Sequence, residues 1–139
     1  MDIIKAFAIG AAVFILQTSP AWAQEGDIVA TGTFHGAAHQ TSGRATIYSV
    51  SGKETLRLTN FKTSNGPDVH VILIAATDAQ DNENFLDKNV ARVELGKLKG
   101  NEGDQNYAIP DGTDLSKFKA VSIYCERFNA NFGTAPLEK

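Results

Sequence analysis

The sequence predicts an all-β fold, a single-domain antiparallel β-sandwich of seven to nine strands, with a small β-barrel as second choice. Three observations carry that expectation. Short runs of β-branched and alternating residues recur between turns built from Gly, Pro, Asn and Asp. No segment sustains a 3.6-residue apolar period, and no repeat or Pro/Ser-rich linker divides the chain. At 139 residues, 42% hydrophobic and 21% charged, the composition is that of one ordinary folded domain.

The N-terminal segment reads differently. Ala6–Leu16 is an unbroken apolar run with Lys5 before it, followed by Thr18-Ser19-Pro20 and the small-x-small triplet Ala21-Trp22-Ala23. A spanning helix needs about 20 apolar residues, so the run is too short to be one. Residues 1–23 are therefore expected to be a signal peptide cleaved after Ala23. Residues 24–139 then form a single periplasmic or secreted β domain with no membrane attachment. Asp2 and Lys5 leave together, which keeps the net charge at −3. A mildly acidic domain without a basic cluster argues against a nucleic-acid partner. The single Met and single Trp of the chain are Met1 and Trp22. Their removal excludes a Met-ligated copper or a His/Met haem within one mature chain.

The strands follow in order. Ile28–Phe34 and Arg44–Val50 are the first two, separated by a turn holding glycine and histidine. Ser51-Gly52-Lys53 is a hairpin loop into Glu54–Phe61, where Leu56 and Leu58 alternate with Thr55, Arg57 and Thr59. Asn65-Gly66-Pro67-Asp68 is strong punctuation, because proline fixes φ and glycine frees it. Asp68–Ala76 is apolar on both faces and belongs at the centre. Asp78–Asn89 is polar and acidic, a surface loop, and Ala91–Leu95 alternates again. Gly96–Asn106 is a second long turn, rich in glycine and charge. Gln105–Ile109 is a short strand ended by Pro110-Asp111-Gly112. Asp114–Phe118 predicts one helical turn capped by Thr113 or Asp114. Ala120–Phe128 and Phe132–Leu137 complete the set.

Among residues able to carry chemistry, Cys125 is the single cysteine and cannot form an intrachain disulfide. Alternation puts Val121, Ile123 and Cys125 on one face of its strand and Ser122, Tyr124 and Glu126 on the other. Buried, Cys125 is an inert core side chain. Exposed beside Arg127, it is a thiol whose ionisation a cation promotes. His35 and His39 stand four apart in a loop, and His70 points with Ile72 and Ile74. No local metal-binding, hydrolase or nucleotide motif is present, so no metal ligand and no cofactor are assigned. Asp78, Asp81, Glu83 and Asp87 lack the glycine that an EF-hand turn requires.

Three stretches read together resemble the DM-thirteen domain family, an electron-transfer domain. They are His39-Gln40-Thr41-Ser42-Gly43, LRLTNFKTSNGPDVHVIL over Leu56–Leu73, and the run from Glu94 to Leu137 with LGKLKGNEGDQNYAIPDGTDLSKFK at its start. The resemblance covers roughly Ile28–Leu137. It implies a domain found alone in exported bacterial proteins and beside DOMON domains in animal matrix proteins. The family's cysteine matches Cys125, and its His-x-x-Ser-Gly element matches His39, Ser42 and Gly43. Where members commonly carry Trp before the cysteine, this chain has Tyr124.

The resulting expectation is an exported redox or electron-transfer domain with Cys125 as its redox thiol, supported by His39, Tyr124 and Arg127. It would act with a partner protein rather than as a stand-alone enzyme, because one thiol cannot cycle as an internal dithiol. The alternative is a non-enzymatic binding or structural module that presents Gly66, Pro67 and Asp68 to a protein, glycan or small ligand. A third reading, a metal enzyme, requires His39 or His70 to reach Cys125.

Overall fold

The computed structural model describes residues 26–80 and 89–139. The expected signal segment 1–23 and most of the acidic loop, with Asp81, Glu83 and Asp87, lie outside the described residues. Nine strands are present among those described: β1 (Asp27–Thr33), β2 (His35–Gly36), β3 (Ser42–Val50), β4 (Lys53–Lys62), β5 (Val69–Ile74), β6 (Arg92–Lys97), β7 (Gln105–Ala108), β8 (Ala120–Cys125) and β9 (Ala130–Pro136). They form two antiparallel sheets, ordered β1-β3-β4-β7 and β2-β9-β8-β5-β6. The architecture is the predicted sandwich and not the closed barrel.

Alternation explains the layers. Leu56 and Leu58 of β4 and Ala45 and Ile47 of β3 face Val69, Val71 and Leu73 of β5 and Val121, Ile123 and Cys125 of β8 across one core. A second, smaller cluster of Ile72, Ile74, Ala120 and Tyr124 lies on the outer face of the five-stranded sheet. This is why β5 is apolar on both sides. A loop covers that outer face: Asn131 Nδ2 donates to the carbonyls of Ala79 and Gln80, and Thr134 Oγ1 donates to Ala79. Among the described residues no buried side-chain polar atom lacks a partner.

Several boundaries differ from expectation. The two-residue strand β2 is too short to show a period, yet it pairs with Gly133 and Thr134 at the sheet edge. β8 ends at Cys125 rather than Phe128, because residues 126–129 make the turn into β9, with Asn129 at φ 51°. The single turn expected after Thr113 is present, with Asp114 as its cap. Lys117 N donates to Asp114 O at 3.0 Å, and Asp114 Oδ1 accepts from the Ser116 amide and hydroxyl. Those Ser116 contacts hold the Asp114 carboxyl below its usual range.

Edge strand β2 is tied to the start of the acidic loop by an ionic contact. His35 donates from Nδ1 to Gly36 O at 2.9 Å and from Nε2 to Asp78 Oδ1 at 2.6 Å. The Gly36 carbonyl and the Asp78 carboxylate raise the His35 pKa against a smaller opposing effect of burial. A raised histidine stabilises the fold fully below its unfolded pKa of about 6.5, and that contribution fades as pH rises through the folded value. Urea midpoints measured on either side of neutral should therefore fall with rising pH. The fall should be shallower in Asp78→Asn; an unchanged slope would mean the pair is not formed in solution.

Candidate functional site

Cys125 is the last residue of the central strand β8, paired with Val69 on one side and Ala130 on the other. Its thiol faces the inter-sheet core and is fully buried. Tyr124 faces the opposite way. Its hydroxyl donates to Asn129 Oδ1, and the Arg92 guanidinium lies 5.7 Å above its ring. Arg127 is exposed on the turn that follows.

His39 lies in the β2–β3 loop, with its ring edge-on to Phe132 at 4.2 Å between centroids. Gly66 approaches the same phenyl ring from the β4–β5 loop. A Cβ there would stand 3.0 Å from Phe132 Cζ and 2.7 Å from Val69 Cγ2, so no larger residue fits without movement. His39 and Gly66 thus share Phe132 as a floor, and Phe132 belongs to the same core cluster as Cys125.

The two glycine-rich loops, read separately in the sequence, meet. Thr63 N donates to Asn101 O, Leu98 N donates to Val69 O, and the Asn101 side chain donates to Asn65 Oδ1. Between them lies a shallow cleft of about 190 Å³ lined by Gly66, Pro67, Asp68, Lys97, Leu98 and Asn101. The β8–β9 turn joins the same end, with Glu126 N donating to Asp68 O at 2.9 Å.

Beside the cleft, on the outer face of the five-stranded sheet, His70 sits among carboxylates. Its Nε2 is 2.8 Å from Asp68 Oδ1 and 3.5 Å from Glu126 Oε2, and its Nδ1 is 2.5 Å from Glu94 Oε2. Lys97 Nζ approaches Asp68 Oδ1 at 3.7 Å. Partial burial works against the charged imidazole, but the Glu94 and Asp68 carboxylates outweigh it and raise the His70 pKa. Asp68, His70 and Glu126 present donor atoms that all lie within 4.8 Å of one another.

The third sequence reading, a metal held by Cys125 and a histidine, does not fit this geometry. The residue opposite His70 on β8 is Tyr124, not Cys125, so thiol and imidazole lie on opposite faces of one sheet. Among the described residues, the grouped metal-ligating side chains are Asp68, His70 and Glu126, which include neither His39 nor Cys125. Glu94, Lys97 and Glu126 were not singled out from sequence, and only the antiparallel register brings them to His70. One signal was legible: Asp68 and His70 stand two apart on an extended segment, hence on one face.

A family model described as electron transfer DM13 matches residues 33–137. No curated protein and no solved structure matches the chain. The matched span contains β2–β9, both loops of the cleft, His70 with its carboxylates, and Cys125 with its family element. The chain belongs to the electron-transfer DM13 family.

Proposed function

We propose that this protein is an exported domain, beginning at Gln24 after signal cleavage, that serves electron transfer by docking a partner protein at its loop-bearing end. It is not a stand-alone enzyme in this reading, and the partner holds the redox group. The observation that carries it is the convergence of the 63–68 and 98–104 loops into one cleft at Gly66, Pro67 and Asp68. Rigid strands that present polar loops are the usual setting of a recognition surface.

The second reading keeps Cys125 as a redox thiol, supported by His39, Tyr124 and Arg127. It draws on the family description and on the position of Cys125, one residue from an exposed turn. Burial weighs against it, since thiolate chemistry needs access to solvent or to a partner. Titration with a thiol reagent separates the two. On the docking reading, Cys125 in the folded protein reacts slower than in denaturant by on the order of a thousandfold or more, because only opened molecules react. A photo-crosslinker at Pro67 or Asn101 then captures a partner in the exporting cell, and one at Asp111 does not. Rapid native labelling, with partner capture lost in Cys125→Ser, would overturn docking in favour of the thiol.

A further inference from the structure

The donors around His70 come from separate segments and include no sulfur. We propose that His70 Nε2, Asp68 and Glu126 form a mononuclear site for a divalent first-row transition-metal ion. This goes beyond the docking reading and shares only Asp68 with it.

The donor set is one imidazole nitrogen and two carboxylate oxygens, which suits zinc, cobalt, nickel or copper(II) rather than thiolate-seeking copper(I). Three protein ligands leave further positions for water or for a group from a partner. Ligands about 2.0–2.2 Å from a shared ion stand roughly 3–3.6 Å apart in tetrahedral geometry. From His70 Nε2, the 3.5 Å to Glu126 lies within that range and the 2.8 Å to Asp68 just below it. Small side-chain shifts suffice.

Two features independent of those contacts prepare the site. The main chain fixes the spacing of the ligand segments, because Glu126 N donates to Asp68 O while His70 is held in register between Tyr124 and Lys97. Glu94 occupies the other ring nitrogen. A carboxylate on Nδ1 orients the ring, and the ion takes Nε2 by displacing the proton that this nitrogen shares with Asp68. The imidazole is only 12% exposed, whereas the Glu126 side chain is 54% exposed. A sheltered nitrogen below an open carboxylate rim gives both a defined site and an entry path. Lys97, now near Asp68, is the cation that a bound ion displaces.

The test uses the purified protein, stripped with chelator and titrated with Zn²⁺, Co²⁺, Ni²⁺ and Cu²⁺ by calorimetry and absorption. Saturable binding of one ion per chain is expected, tightening from cobalt through nickel to copper. The cobalt spectrum should lack the intense near-ultraviolet band of a thiolate ligand. His70→Asn should abolish binding. Glu94→Gln, a change in a positioning residue, should weaken it about 10- to 100-fold. Glu126 is exposed in a turn, so Glu126→Gln keeps the test open if His70→Asn does not fold. A His35→Asn/His39→Asn double variant should bind as the wild type does. The proposal is overturned by absence of saturable binding, by binding that survives both His70→Asn and Glu126→Gln, or by loss in the double variant. Loop crosslinking by metal-free protein distinguishes failure of this site from failure of docking.

Discussion

Gly32→Ala is expected to cost the domain about 3 kcal/mol of stability or more. A Cβ at Gly32 would stand 1.8 Å from the carbonyl oxygen of Pro136 and 2.8 Å from its carbonyl carbon. Neither is the end of a flexible side chain. The main chain is pinned on both sides, because Thr31 and Glu138 exchange two hydrogen bonds of 2.9 Å and Leu137 N donates to Lys119 O. This is the place where β1 of one sheet meets the tail of β9 from the other, so relief of the clash means parting the sheets. Overpacking usually costs about 1–3 kcal/mol and occasionally more. A main-chain collision belongs at the upper end, against a total of about 5–15 kcal/mol for a domain. Urea unfolding measures it. A loss below about 1 kcal/mol would show that the 136–139 tail lifts off β1 freely.

Phe132→Ala should cost about 3–5 kcal/mol, the range for removing a buried aromatic side chain from a core. Phe132 is 1% exposed and belongs to the main cluster. Its ring also supports His39 on one loop and Gly66 on another. The substitution should therefore do more than lower the urea midpoint. Amide exchange in the 37–41 and 63–68 loops should rise further than in the hairpin at Ser51-Gly52, at the other end of β4. Phe132→Leu, which retains much of the volume, should recover most of the stability. Equal rises at both ends of the sandwich would mean that Phe132 is a general core residue and not the common anchor of these two loops.

These expectations bear on how the family's electron-transfer role is assigned here. The reactive residue most visible in the sequence is the one the fold encloses. The groups left at the surface are Asp68, Glu94, Glu126 and Lys97 around a sheltered imidazole, next to a cleft made by two loops. Thiol labelling, loop crosslinking and metal titration each address one of these features without depending on the other two.

Much of the fold was legible because a strand has a period of two. That period alone separated Val69, Val71 and Leu73 from His70, Ile72 and Ile74, and Val121, Ile123 and Cys125 from Ser122 and Tyr124, as observed. Gly, Pro and Asp placed the turns at Ser51-Gly52, Gly66-Pro67 and Pro110–Gly112 because their backbone preferences are local. Strand β2 was not legible, since two residues have no period. The end of β8 was misjudged because the apolar Phe128 extends the pattern, although it is 59% exposed in the turn.

The site divided along the same line. Asp68 and His70 could be placed on one face from sequence alone. The pairing of His70 with Glu94, 24 positions further on, and with Glu126 across β8 depends on which strands are neighbours and in what register. The meeting of the 63–68 and 98–104 loops is set in the same way. Cys125 could be placed on the face it shares with Val121 and Ile123, but whether that face met solvent or a second sheet was open. Side-chain direction is a property of consecutive residues, whereas burial and proximity are properties of the packed sheets.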